Sequence, residues 1–375
     1  MADRAPTGYV VFGQSYVQYL TRFSFLATER PVAYVESASG ATAAFVPEFE
    51  VARVRAETSF DRVESYPEYP GVEHPMQILA RVLDEMGISG TIGADQDGYP
   101  GILGYEGPSL GEVTGAAIVP LAPALEQLMA RKSEAEVELI RESARWCAHA
   151  HRVLQEHTRP GATEAEASLR AGYEASLDMV AALGPSYDGG LSSSDGASAG
   201  YRGQIGARSA WAHAVAHNIR FQPGDVLVSE TSAPVWGYNA ELERAMIVGP
   251  PTDEMRKHFE HMRAAQQIAF DALRPGVTCA EVDRAVLSYF EESQMLDTWR
   301  QHTGHAIGLR NHEAPFVDVG DQTVVEPGMV FTIEPGVYVD GLGGFRHSDT
   351  VVVRPDGIEI LTEYPSDIDA LALPL

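Results

Sequence analysis

Apolar residues recur along this chain at two periods, and the change of period divides it. Over residues 1–125 they come in short runs rich in Val, Tyr, Phe and Ala. Gly8–Gly13, Pro31–Glu36, Thr42–Val46 and Thr91–Ala94 are predicted as strands. Met76–Met86 has the spacing of an amphipathic helix, with Gly87 placed to stop it. This first region reads as a small α/β domain. A boundary is expected near Leu121–Met129, ahead of a long helix. From Val137 onward, Ile140, Ala144, Cys147, His151 and Leu154 keep a three-to-four spacing, a helical stripe that Pro160-Gly161 ends. A matching helix is expected over Asp253–Leu273, ended by Pro275-Gly276. In residues 126–375 each half therefore reads helix, Pro-Gly break, capped helix, strands. Helices laid on an antiparallel sheet give an α+β architecture.

The two halves repeat in detail. Pro223-Gly-Asp-Val-Leu-Val-Ser-Glu230 and Pro327-Gly-Met-Val-Phe-Thr-Ile-Glu334 are each a turn, a short apolar run and a Glu. Upstream, Arg159-Pro-Gly-Ala-Thr163-Glu-Ala-Glu166 echoes Arg274-Pro-Gly-Val-Thr278-Cys-Ala-Glu281, and both carry a capping box. A duplicated half implies a pseudo-twofold, and residues meeting across it can share one site. Glu230 with Glu334 and His213 with His305 are such pairs, suited to metal binding or acid–base chemistry. The halves differ in one place. The first is longer by the Gly- and Ser-rich stretch Gly184–Gly206, whose composition cannot build a core and which reads as a lid, a binding loop or a surface insertion.

Composition narrows the partners. A net charge of −26 argues against nucleic acid or an anionic membrane, both of which need a basic patch. No apolar run approaches the ~18–20 residues that span a bilayer. The opening MADRAPTGYVVF lacks a basic region followed by an apolar one, so no secretory signal is expected. The two cysteines, Cys147 and Cys279, fit no ligand spacing and suit a reducing cytoplasm.

Several motifs in order carry a resemblance. Gly304-His305-Ala-Ile-Gly-Leu-Arg-Asn-His312-Glu313-Ala-Pro315, then Glu334-Pro335-Gly336, then Gly343-Gly-Phe-Arg346-His-Ser-Asp349 resemble the pita-bread superfamily of Xaa-Pro aminopeptidases, prolidases, methionine aminopeptidases and creatinase. Tyr19-Leu-Thr-Arg-Phe23 resembles the creatinase-type N-terminal domain more loosely. The resemblance implies a pita-bread domain with pseudo-twofold halves over 126–375 and a creatinase-like domain over 1–125. In the metallopeptidases of this family Asp, Asp, His, Glu and Glu hold two divalent ions. The matching positions here are Glu230, Glu241, His305, Glu334 and Ser348.

Three of the five differ. Glu for Asp keeps the carboxylate but moves it roughly 1.5 Å from the backbone, about one C–C bond. Ser348 replaces a bridging anion with a neutral hydroxyl, not a usual donor for these ions. His347 is no substitute, because strand alternation points it to the other face. These changes argue against a binuclear site. They leave open one ion (Mn, Co or Zn) on Glu230, Glu241, His305 and Glu334, or none. Glu241-Leu242-Glu243-Arg244 resembles creatinase, which uses the equivalents of His213, Glu243 and Glu334 without metal. His302-Thr-Gly-His305 and His312-Glu-Ala-Pro315 instead resemble the peptidases.

Glu241 and Glu243 should share one face of a strand. Two acids there are costly unless paired or liganded, which marks them as functional. Arg244 would then point away. His149, His151 and His157 read as packing or solvated residues, His217 and His347 as surface residues or supports of the site, and Trp211 and Tyr238 as pocket wall or core. His213, Glu243, His312 and Glu334 are assigned to catalysis. His302, Arg346 and Ser348 are assigned to substrate binding, with Arg346 and Asp349 also supporting their strand. The reading is a cytoplasmic hydrolase of a C–N bond in a short peptide or other small substrate, Xaa-Pro dipeptidase- or aminopeptidase-like, and by resemblance a homodimer. The alternatives are a metal-free, creatinase-like hydrolase of a guanidino, ureido or cyclic amidine compound, and a non-catalytic peptide binder.

Overall fold

The structure is a computed structural model that describes residues 5–190 and 196–375. The chain divides into two compact units, Met1–Met129 and Ala130–Leu375.

The first unit contains β1 (Gly8–Val11), α1 (Gln14–Thr21), β2 (Ala33–Ser37), β3 (Thr42–Pro47), α2 (Val51–Glu57), β4 (Arg62–Tyr66), α3 (Pro75–Glu85), β5 (Thr91–Ala94), α4 (Leu110–Thr114) and β6 (Ala117–Pro120). Its strands form one mixed sheet in the order β4-β3-β2-β1-β5-β6. Alternation along β1 feeds two cores. Val10 packs with Val35, Phe45 and Leu79 on one face, while Val11 packs with Tyr34, Val46 and Val54 on the other. The short helices α1, α2 and α4 and the strands β4 and β6 were not predicted; each is too short to display a clear period. The division between the units falls at the end of the expected stretch Leu121–Met129, which is itself helical: α5 covers Ala122–Ala130, rich in Ala, Leu, Glu, Gln and Met, all strong helix formers.

The second unit runs α6 (Glu134–His157), α7 (Glu164–Leu183), β7 (Ser198–Gly200), β8 (Val226–Val228), β9 (Glu230–Ser232), β10 (Glu241–Glu243), β11 (Ala245–Val248), α8 (Asp253–Ala272) and α9 (Cys279–Glu292). It continues with β12 (Gly304–Ala306), β13 (Glu313–Val317), β14 (Val330–Ile333), β15 (Gly336–Val339), β16 (Gly343–Arg346), β17 (Ser348–Arg354), β18 (Gly357–Ile360) and β19 (Ala372–Leu373). The expected stripe on α6 is buried from Val137 to Leu154. Capping boxes close the N-termini of α7 at Thr163 and Glu166 and of α9 at Thr278 and Glu281. These helices make the unit α+β around one core.

The duplication is visible in the main sheet, ordered β13-β12-β14-β17-β10-β9-β7. Reading outward from the central β17–β10 pair, β14 answers β9 and β12 answers β7. The Pro-Gly breaks match as well: Gly161 N donates to Phe221 O at 3.0 Å, and Gly276 N donates to Val325 O at 2.9 Å. Gly224 and Gly328 open the two repeated runs at φ +88° and +90°, a left-handed turn that other residues adopt at a cost. The expectation for Gly184–Gly206 needs correction. Its end is not a loose insertion, because β7 pairs with β9 as an edge strand. Small residues suffice there, since an edge strand is held by its backbone ladder. Residues 191–195, within the same stretch, lie outside the described residues.

Candidate active site

The symmetric sheet brings acids to its centre from both halves. β10 presents Glu241 and Glu243 on one face and sends Leu242 into the core. β17 lies beside it, with Ser348 opposite Glu243. β12 carries His305, and Glu334 follows the end of β14. Glu241, His305 and Glu334 are all buried, and one ligand atom from each lies within 4.8 Å of the others. Residues remote in sequence thus meet; of the pairs the repeat suggested, Glu334 and His305 belong to this cluster, while Glu230 and His213 do not.

The electrostatics of this triad is divided. Burial, and then the charges of Glu334 and Glu243, raise the Glu241 carboxyl well above its ordinary value. Ser348 Oγ donates to Glu241 Oε1 at 2.8 Å. Burial also works against the charged form of Glu334, but the imidazole of His305 and the guanidinium of Arg346 outweigh it and hold this carboxyl at about 2. For His305 burial is the largest influence and lowers the pKa. Glu334 and Glu241 together overcome it and lift the ring to about 9.

His305 also tests the site for a metal. Its Nδ1 lies 3.0 Å from Ala306 O, which leaves Nε2 as the free ligand atom. Nε2 is buried, has no aligned hydrogen-bond partner among the described residues, and lies 3.2 Å from Glu334 Oε1. A buried imidazole nitrogen facing two carboxylates suits one divalent ion.

Two arginines occupy the other side of the acid cluster. Arg346 forms a two-pronged ion pair with Glu243, with Nη2 2.6 Å from Oε1 and Nε against Oε2. Its Nε also lies 3.8 Å from Glu334 Oε2, and its Nη1 donates to Tyr338 OH at 3.1 Å. Arg202 Nη2 lies 2.5 Å from Glu230 Oε2 and 3.5 Å from Glu243 Oε1. Glu230, expected as a ligand beside Glu241, therefore pairs with Arg202 and stands outside the triad. Burial raises the Glu243 carboxyl, with Arg346 pulling the other way.

The remaining expected residues surround this centre unevenly. The His312 ring stacks on His305 at 3.8 Å and 16°. Burial and then the charge of His305 lower its pKa to about 4, so it is neutral at ordinary pH. The His302 ring is 6.2 Å from that of His305, and 5.9 Å from Phe316. His213 is exposed and follows Ala212, whose carbonyl accepts from Arg346 Nη1 at 3.3 Å. Arg346, expected to bind substrate, directs its N–H groups to protein acceptors instead. His347, at the break between β16 and β17, is buried edge-on to Phe259. Arg244 points away from the acids to Asp349, at 2.8 Å. Trp211 is exposed under Arg208, and Tyr238 OH donates to Glu136 at 2.6 Å.

Sequence reasoning missed Arg202. One signal was available: it is the sole basic residue in Gly184–Gly206, in a chain whose buried acids need counter-charges.

Residues 138–355 match metallopeptidase family M24, and residues 1–140 match the creatinase/prolidase N-terminal domain. The chain is 26% identical to an uncharacterized peptidase, YqhT, of Bacillus subtilis, over 96% of this chain and 95% of that one. It is 32% identical to the Xaa-Pro dipeptidase of Pyrococcus furiosus, over 64% and 65%. Among solved structures, the Xaa-Pro dipeptidase of Bacillus anthracis superposes with a TM-score of 0.81 at 24% identity, covering 99% of this chain and 95% of the other. The Pyrococcus horikoshii prolidase gives 0.79 at 24%, covering 96% and 94%. Both show the fold. No helix among the described residues is long and apolar enough to cross a membrane. With more than half its length matched, the chain belongs to metallopeptidase family M24, as a peptidase-type hydrolase with the pita-bread fold.

Proposed function

We propose that the protein is an Xaa-Pro-type dipeptidase or aminopeptidase that works with one divalent ion held by Glu241, His305 and Glu334. The observation that carries this reading is the buried Nε2 of His305 facing the carboxylates of Glu241 and Glu334. An ion of the Mn, Co or Zn kind would supply a Lewis acid and a water of lowered pKa. Glu334, kept ionised by Arg346 and by the ion itself, would orient the attacking water, whose pKa the ion lowers. His312, neutral and stacked over His305, donates a hydrogen bond to the scissile carbonyl as its oxygen gains charge. His213, at the exposed edge, is placed to assist it. His302 lies beside Phe316, a surface suited to the apolar part of a short peptide.

The metal-free reading has one observation in its favour. Glu243 and Glu334 already flank a guanidinium, as they would a guanidino substrate. That guanidinium belongs to Arg346, which takes both oxygens of Glu243, so such a substrate would first have to expel it. The deciding experiment is hydrolysis of Xaa-Pro dipeptides and of creatine by chelator-treated protein, with and without Mn²⁺. Proline-dipeptide turnover that chelator abolishes and Mn²⁺ restores is expected. Full turnover in chelator, or activity on creatine alone, would overturn the reading.

A further inference from the structure

The acids of the site draw more than one cation, and Arg202 is the least expected of them. Glu230, Glu241, Glu243 and Glu334 converge, and among the described residues two guanidiniums, Arg202 and Arg346, pair with them. With Glu241 ionised and His305 neutral, as ligation of an ion requires, four carboxylates against two guanidiniums leave two negative charges, the charge of one divalent ion. Arg346 is fixed in the interior. Arg202 reaches in from the partly exposed side and is the only described cation on Glu230.

The backbone that delivers Arg202 is built for the purpose. Arg202 has φ +49°, a left-handed conformation unfavourable for a side chain of its size. Both neighbours hold it there. Tyr201 is fully buried, its hydroxyl 2.5 Å from Thr158 Oγ1 and its ring edge-on to Phe221. Gly203 donates its N–H to Glu164, and a Cβ at that position would lie 2.1 Å from Val215 O. Gln204 accepts from Val228 N at 3.1 Å, tying the turn to β8. Strain held on both sides by buried contacts, with the side chain aimed into an acid cluster, marks a positioned functional residue.

We propose that Arg202 is a built-in counter-cation that sets how many metal ions the site accepts. By occupying Glu230 and the near oxygen of Glu243, it keeps a second divalent ion out and leaves the first to the triad. The number one rests on the single-ion reading above, but the exclusion by Arg202 does not.

The test is Mn²⁺ titration of chelator-stripped full-length protein by calorimetry, with metal analysis after dialysis. Wild type is expected to hold one equivalent and Arg202→Gln two, because Glu230 is released. Arg202→Lys, which keeps the charge, should stay at one. Arg202→Met serves in place of Arg202→Gln if the latter does not fold, as judged by circular dichroism melting. The double variant Arg202→Gln/Glu230→Gln should return to one equivalent. Unchanged stoichiometry in both neutral variants overturns the proposal, as does a second ion that survives loss of Glu230 or one already present in wild type. Wild type with no ion and Arg202→Gln with one would sink the single-ion reading while upholding the role of Arg202.

Discussion

Uptake of a divalent ion should release protons, and His305 sets the least number. Its Nε2, the atom an ion would take, faces Glu334 at 3.2 Å. Against burial, Glu334 and Glu241 carry the ring to about 9. Near neutrality the imidazole is therefore protonated, and an ion can bind only by displacing that proton. The sign follows: affinity rises with pH until the ring is neutral without help. For one proton of this pKa, affinity should climb ~10-fold per pH unit below about 9. Between about pH 6.5 and 8.5 that is ~80-fold, or ~2.6 kcal/mol. Glu241, raised by burial and by its acidic neighbours, adds part of a second proton in the same direction.

Calorimetry of Mn²⁺ binding in buffers of different ionisation enthalpy counts the protons directly. Between about one and two per ion are expected near pH 7. Affinity that stays flat over this range, with no dependence of the heat on buffer, would refute the electrostatic account of the triad. His305→Gln should weaken binding and flatten its pH dependence together. Weaker binding with an unchanged slope would place the released proton elsewhere.

Further outcomes follow from other buried groups. Ser348→Glu adds a charged donor beside Glu241, so Mn²⁺ affinity should rise ~10-fold or more and native turnover should change, most simply downward; equal metal content and turnover would exclude position 348 from the centre. Lys132 and Glu313 form a buried ion pair at 2.8 Å, so Lys132→Met should cost ~3–5 kcal/mol in chemical denaturation, while Lys132→Met/Glu313→Leu should recover most of it. His151 is buried neutral, its pKa lowered to about 3 by burial and by Arg244, so the unfolded chain binds the extra proton. Its share of stability is complete above about pH 6.5 and falls toward pH 3 by up to ~1.4 kcal/mol per unit. His347 acts in the same direction, and His151→Gln should shallow the acid limb of a stability–pH curve.

Much of the fold was legible because its signals are local. The stripe from Val137 to Leu154, the two capping boxes and the two Pro-Gly turns each work within a few residues, and each is found where its pattern lies. The site was legible where the repeat or a motif carried it. The repeat put His305 and Glu334 among the candidates, the resemblance added Glu241, and Arg346 was assigned to substrate binding. The ion pairs of the two cations could not be read. Arg346 reaches Glu243 across 103 residues, and Arg202 sits in a Gly-rich stretch with no period to announce it. Glu230 shows the consequence: the repeat places it at the centre, but only the charge of Arg202 shows that its partner there is not the triad.

The same separation explains how ligands can change while the fold persists. The turns at Gly224 and Gly328 and the caps at Thr163 and Thr278 position β9 and β14 without involving Glu230, Glu334 or Ser348. Substitution at a ligand position therefore leaves the scaffold intact and alters only the charge that the centre must balance. With a neutral Ser348 in the cluster, less positive charge is needed, and two guanidiniums with the single ion proposed above would meet the requirement. Charge balance links the residues across the centre, so exchanging one is felt by the others. Restoring a carboxylate at 348 should then strengthen the effect of removing Arg202, because both leave negative charge that only a further cation can offset. A double-variant cycle of Mn²⁺ affinity between Ser348→Glu and Arg202→Gln is expected to show more than additive gain. Strict additivity would mean that the two positions do not share one electrostatic site.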